Sequence, residues 1–451
     1  MQDIDRERCR EFLNLERERF QLRNPKSRAL FTTASSSFLN GVPMNWMTKW
    51  ASPFPLFARS ASGAWLTDVD GHRYLDLCLG DTAAFFGHVP SNLAQAISQQ
   101  AQSGLALMMP TEDIVAVGAA LKRQFELPYW QVALSATDAN RFAIRLARAI
   151  TGRQKILVFN GCYHGSLVET LVELDGDRIV PNADILGAEC DPVSTTRVVE
   201  FNDLAALDEA LSFGDVACVL AEPVLTNCGV VLPEDGFHEG LRACTRKHGA
   251  LLLIDETHSI CAAPGGYSRA HELKPDILTL GKSAGGGVAT AVFGFSQQTK
   301  EKIDGILDTS GPGIYAVGGT LAGNALSMTA LKVCLDELMT DAAYAVMSER
   351  AEAIEGGITD CIRAHGLSWY TVRLGACVGY GFHPCPPRNG GEALRQSDAE
   401  LDTLLHLFLI NRGILITPFQ NQLLVSPQVR PEDVEHHTRV FNEFVETITA
   451  S

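Results

Sequence analysis

The feature that most constrains this chain is an alternation through its middle. Short apolar runs at 132–134, 156–159, 216–221, 251–254, 277–280 and 291–295 are separated by segments with helical spacing. The runs are β-branched or Leu-rich and lack polar alternation, the pattern of strands buried on both faces of a mainly parallel sheet. One intervening segment places Phe142, Leu146 and Ile150 on one face, with Arg141, Arg145 and Arg148 elsewhere and Gly152 as a stop. Strand–helix alternation of this extent predicts an α/β domain with helices on both faces of the sheet. The chain has 451 residues, 46% of them hydrophobic, so it can bury a large core in several structural units.

The flanks read differently. Residues 1–60 look irregular, punctuated by Pro43, Trp46, Trp50, Pro53 and Pro55, although the first twenty resemble an amphipathic helix too charged for a signal peptide. Residues 63–80 read as two strands around an Asp70-Gly71 turn. Beyond about 326 come helices near 326–338 and 342–365, strands at 374–382, 414–417 and 422–425, and helices near 397–411 and 431–449. This predicts an N-terminal segment over 1–85 that shares a small α+β domain with 326–451, and a large domain over 86–325.

Charge narrows the partners. Lys and Arg total 37 against 53 Asp and Glu, a net charge of −16, which argues against nucleic acid and anionic membrane surfaces. No run approaches the roughly 18 apolar residues of a membrane span. Twelve cysteines without a CxxC pair suit buried free thiols in a reducing cytoplasm better than a disulfide or metal framework. Adjacent His436 and His437 face different sides of a helix, so no metal site is expected there.

Ligands of open α/β sheets bind beyond the carboxyl ends of the strands. There the sequence places Ser135-Ala136-Thr137-Asp138, then Asn160 to Gly165 with Tyr163 and His164, then Glu222-Pro223, then Asp255 to His258, then Gly281-Lys282 before a glycine-rich loop. A small-residue turn opening a helix can cradle phosphate, or simply cap the helix. A carboxylate ending the most apolar strand can hold a protonated heterocyclic nitrogen, or cap the next helix. A lysine after a buried strand can bond a carbonyl carbon, or sit on a surface loop. Together Thr137, Asp255, Tyr163 and Lys282 supply what pyridoxal 5'-phosphate needs: a phosphate cradle, an acid for the ring nitrogen, an aromatic face and an amine.

On these residues the chain resembles the class III aminotransferases of fold type I, and within them the glutamate-1-semialdehyde aminomutase branch. The resemblance also rests on Asp68 to Gly71, Gly87-His88, Asn227, Pro275-Asp276, and Gly319-Thr320 with Gly323-Asn324. It implies a mainly parallel seven-stranded sheet with helices on both faces. It implies that Lys282 forms the Schiff base and shuttles a proton, and that Asp255 pairs with the ring nitrogen. Tyr163 would stack on the ring, Ser135, Ala136 and Thr137 would bind phosphate, Asn227 would lie near the ring hydroxyl, and Glu222 would orient the site. His164 and Thr257 would border the cofactor. Gly319 and Thr320 would reach the phosphate in a neighbouring subunit, making the working unit a homodimer.

Three departures stand out. Ser-Gly-Thr-Glu-Ala appears as Ser135-Ala136-Thr137-Asp138-Ala139, and Asp-Glu-Val as Asp255-Glu256-Thr257. Where the aminomutase branch often has an arginine for the substrate carboxylate, Trp46 stands. With Phe85, it points to a more aromatic pocket, unless both are core aromatics. The expected activity is amino transfer from an amine or amino acid, including β- and ω-amino compounds, to a carbonyl acceptor. The alternative is an aminomutase or racemase, and a third reading is a non-catalytic protein that keeps the fold.

Overall fold

The computed structural model describes residues 4–183, 185–188, 191–306, 316–418 and 420–449. Its centre is a sheet of seven strands: β1 (Tyr129–Ala133), β2 (Lys155–Phe159), β3 (Thr196–Val199), β4 (Val216–Ala221), β5 (Leu251–Asp255), β6 (Ile277–Leu280) and β7 (Ala291–Phe295). They lie in the order β1-β7-β6-β5-β4-β2-β3. All pairings from β6 to β3 are parallel, and β7 runs antiparallel to both neighbours. Successive residues of a strand point to opposite faces. Ile156, Val158, Cys218, Leu220 and Leu253 therefore enter one core with Phe142 and Leu146. Leu157, Phe159, Val219, Leu252 and Ile254 enter another with Phe237 and Leu241. Both faces are covered by helices, as the uninterrupted apolar runs require.

The two ends of the chain meet in a second core. The helix Arg6–Arg23 is capped by Asp5, whose carboxylate accepts from the Glu7 and Arg8 N–H groups. It packs on the helix Ala399–Asn411, where the Asn411 amide donates to Glu16 Oε2 at 2.6 Å. The expected hairpin forms from Trp65–Asp68 and Arg73–Asp76. Arg73–Asp76 then pairs in parallel with Ile414–Leu415, placing Leu75 opposite Ile414. Phe20, Leu75, Phe408, Phe441 and Phe444 fill this core.

Three expectations need correction. Residues 25–34 are not irregular: Pro25–Ala34 is a helix with proline at its start, where the missing N–H costs nothing. The strand expected at 374–382 is Cys377–Gly381, and a second strand, Tyr370–Leu374, precedes it across a turn. Gly375 makes that turn at φ +56, and a Cβ there would come within 2.3 Å of the Cys261 carbonyl oxygen. The edge strand β3 is absent from the apolar runs because Thr196 and Arg197 interrupt its hydrophobicity. Among the described residues no helix is long and apolar enough to cross a membrane. The described cysteines are free and mostly buried; Cys190 lies outside the described residues.

Candidate active site

The carboxyl ends of β1, β2, β4, β5 and β6 border a cavity of about 640 Å³. Ser135, Ala136, Thr137, Tyr163, His164, Glu222, Asp255, Thr257, Lys282 and Trp46 all line it. The sequence spreads these groups over more than two hundred positions, and the parallel sheet brings them to one edge.

Asp255 ends β5 and is buried. Its Oδ2 accepts from the Asn140 amide at 2.8 Å and lies 3.1 Å from His164 Nδ1, and its Oδ1 accepts from the Thr257 N–H at 3.1 Å. Burial alone would raise the carboxyl pKa. The hydrogen bond and charge of His164, with the Thr257 and Asn140 donors, reverse this and bring it down to about 2. Burial acts against a charged His164, but Cys162 and Asp255 carry its pKa well above the usual range. Asp255 is therefore a charged acid held in place, the state that can keep a heterocyclic nitrogen protonated.

Glu222 follows β4 and organises a loop. Its Oε2 accepts from the Thr226 N–H, the Thr226 hydroxyl and the Asn227 amide at 3.0, 2.7 and 3.0 Å. Its Oε1 accepts from the Tyr163 N–H at 3.2 Å. Burial nevertheless raises its pKa, with His164 and these donors opposing. Asn227 itself does not line the cavity. Tyr163 does, with its ring centroid 5.1 Å from that of Trp46.

The phosphate expectation can be tested against the backbone. The helix Ala136–Thr151 begins at the cavity, with Ser135 Oγ accepting from the Asp138 N–H at 3.2 Å. Helix geometry leaves the preceding first-turn N–H groups without intrahelical partners. Gly281 and Gly165 press against this turn. A Cβ at Gly281 would meet Ala136 Cβ at 2.8 Å, and one at Gly165 would meet Thr137 Oγ1 at 2.1 Å. Glycine is thus required on both sides of the turn, and the cradle, the acid, the aromatic ring and the amine fit pyridoxal phosphate.

Lys282 follows β6 in a left-handed conformation, φ +46. Its Nζ is hydrogen-bonded to Asp81 Oδ2 and lies 2.7 Å from His258 Nε2. Sequence reasoning missed Asp81 and Asn140 and gave His258 no role. Asn140 carried a signal, since a buried amide on the apolar face of a helix needs partners; it has Asp255 and Thr279. Asp81 carried none beyond its turn.

Phe85, Gly319 and Thr320 do not line the cavity. Phe85 is fully buried, 5.3 Å from the Phe86 ring and 6.1 Å from the Tyr344 ring. The pair Phe85-Phe86 packs the core, because aromatic area is buried wherever space allows. Gly319 and Thr320 are exposed and away from the cavity. Trp46 lines the cavity with Met44, Met47 and Trp50, and is 38% exposed.

Comparisons with known proteins give the family. The chain matches the family model for aminotransferase class-III over residues 46–379. It is 31% identical over 404 residues to a glutamate-1-semialdehyde 2,1-aminomutase of Neisseria meningitidis serogroup C, covering 88% of this chain and 92% of that protein. A solved glutamate-1-semialdehyde-aminomutase from Pseudomonas aeruginosa PAO1, a lysine-to-alanine variant in complex with PMP, is 45% identical with a TM-score of 0.97, covering 99% of both chains. A beta-phenylalanine aminotransferase from Variovorax paradoxus is 26% identical with a TM-score of 0.86, covering 97% of both.

Proposed function

Because the chain belongs to the class III aminotransferases and its cofactor is pyridoxal 5'-phosphate, we propose that it moves an amino group within one substrate, as an aminomutase. The observation that carries amino-group chemistry is the convergence of Lys282, Asp255, Tyr163 and Thr137 on one cavity. Similarity over 99% of the chain to a structure described as an aminomutase favours movement within one molecule.

When bound, the cofactor supplies an aldehyde that can exchange Lys282 for a substrate amine and a ring that withdraws electrons from the reacting carbon. Lys282 Nζ, freed from its own bond, would be the base that takes a proton from the substrate carbon and the acid that gives it back on the other side of the same carbon–nitrogen linkage. Asp255, kept charged by its three partners, holds the proton on the ring nitrogen. Ser135, Ala136 and Thr137 hold the phosphate at the helix N-terminus. Tyr163 provides the aromatic wall, and Thr257 and His164 border it. Glu222 fixes the Tyr163 backbone and the Asn227 amide. Met44, Trp46, Met47 and Trp50 exclude water and meet the substrate. Exposed Gly319 and Thr320 serve the phosphate of a second copy, so the working unit is a homodimer, a state that sedimentation velocity reads directly.

Intermolecular transfer to a carbonyl acceptor is the second reading, and one observation favours it. Among the described residues lining the cavity there is no arginine, and Lys282 is the only lysine. Among these described residues a substrate carboxylate therefore finds no guanidinium, which suits an amine with an apolar or aromatic body. The experiment is to incubate the holoenzyme with glutamate-1-semialdehyde and with a panel of amines plus a keto acid. Formation of the isomer with its amino group moved from carbon 2 to carbon 1, total amine conserved, supports the aminomutase. Release of a carbonyl product while the keto acid gains the amine, with no isomer, replaces it with the transferase. Trp46→Arg should raise kcat/KM for carboxylate-bearing over carboxylate-free substrates by about tenfold; an unchanged ratio would remove Trp46 from the substrate pocket.

A further inference from the structure

The amine of Lys282 is flanked by two groups that the roles above leave unused. Asp81 bonds it through Oδ2, and His258 Nε2 lies 2.7 Å away. The other imidazole nitrogen, Nδ1, is 3.0 Å from the Thr82 hydroxyl. If Nδ1 carries the proton and donates it to Thr82, the lone pair of Nε2 faces Lys282. His258 Nε2 and Asp81 Oδ2 are 4.0 Å apart, closing a triangle around one nitrogen.

The backbone is strained to make this triangle. Lys282, Asp81 and Thr82 lie at φ +46, +55 and +78, the left-handed region that non-glycine residues avoid, and Thr82 is β-branched. Such strain gathers where surrounding structure enforces a functional geometry.

We infer that His258 is the proton acceptor for Lys282 and that Asp81 is the carboxylate that holds both. Lys282 attacks a carbonyl carbon through its nitrogen lone pair, so its ammonium must first lose a proton. That proton passes from Nζ to His258 Nε2, the carbon–nitrogen bond forms, and the carbonyl oxygen leaves as water. Asp81 then faces an imidazolium instead of an ammonium, and the charge of the cluster is unchanged. The charged groups acting on His258 are Lys282, Asp81 and Asp255. Burial, then the charge of Lys282, pushes its pKa down to about 4, while Asp81 and Asp255 oppose. With Lys282 discharged that second cause disappears and the two carboxylates favour the imidazolium. One proton is thus shared by two nitrogens.

This inference rests on the cofactor and not on the choice between aminomutase and transferase. Its test uses no amino substrate, so the failure of one does not touch the other. Pyridoxal phosphate is mixed with the cofactor-free full-length chain, and the growth of the visible band of the Lys282-bound cofactor is followed by stopped flow. His258→Gln keeps an acceptor but cannot take the proton, and should load at least about tenfold more slowly. His258→Ala should load as slowly and be restored by added imidazole. Asp81→Asn should also slow loading, with the same final amplitude. Wild-type rates in His258→Gln would overturn the proton transfer and leave only a hydrogen-bond acceptor. Wild-type rates in Asp81→Asn would remove Asp81 from the cluster. Should His258→Ala fail to fold, the His258→Gln result decides alone.

Discussion

Two aspartates, one buried and one half-buried, show how differently this molecule treats polar groups in its two cores. Asp255, at the edge of the large sheet, has three donors and is held at a pKa of about 2. Asp402, half-buried beside the core built from the chain ends, is lifted to about 6, because desolvation outweighs the hydrogen bonds from Asn421 and Ser397. In the same core His437 has no hydrogen-bond partner at either ring nitrogen, and burial takes it down to about 4. Burial acts the same way in both places. Compensation differs: Asp255 has the donors and the charged partner that keep its charge, whereas Asp402 and His437 are shifted toward their neutral forms.

The sharpest way to break this comparison is to remove the charges at the sheet edge. Lys282→Ala should lower turnover by at least about a thousandfold and abolish the adduct trapped by borohydride; turnover at the normal rate would end the site assignment. Asp255→Ala should lower kcat by about a hundredfold or more while circular dichroism stays native; a small loss would mean the ring nitrogen has another partner. Changes in the terminal core should instead act on stability. Phe441→Ala should cost about 3–5 kcal/mol in urea unfolding and leave the spectrum of the bound cofactor unaltered in the folded fraction. A lost spectrum without lost stability would erase the division of labour.

The smallest expected effect is on pH dependence. The folded-state pKa of Asp402 is raised from 3.8 to about 6, so folding favours its protonated form. Its contribution to stability is full below 3.8 and is lost as pH rises through about 6. Asp255 has the opposite sign: its contribution is present above 3.8 and is lost as pH falls through about 2. Asp402→Asn should therefore abolish the fall in urea midpoint between pH 3.8 and about 6, and an identical fall in the variant would place its origin elsewhere.

Much of the fold was legible because a strand buried on both faces must be nearly all apolar, as 216–221 and 291–295 are; 277–280 departs only at Thr279, whose hydroxyl donates to Asn140. The edge strand Thr196–Val199 is largely buried as well, but Thr196 and Arg197 carry polar side chains with partners in Glu169 and Asp215, so that rule does not find it. Turns with left-handed residues were legible only where glycine or Asp-Gly marked them. The site was legible where a residue type is rare in its place, such as a lysine or an aspartate directly after a buried strand. It was illegible where ordinary residues gain a role from distant partners.

The sequence by itself determined the α/β class, the strand ends that carry Ser135, Tyr163, Glu222, Asp255 and Lys282, and the cofactor those residues fit. All of this comes from local rules, because hydrophobic period and the cost of burying charge act on short stretches of chain. Only the tertiary structure decided that Asp81 meets Lys282 across 201 positions and that Asn140 steadies Asp255 across 115. Only it sent Phe85 to the core and Trp46 to the cavity. Side-chain chemistry is the same for two aromatics in either place. What separates them is which face of a folded element they occupy, and that is fixed by packing between segments far apart in the chain.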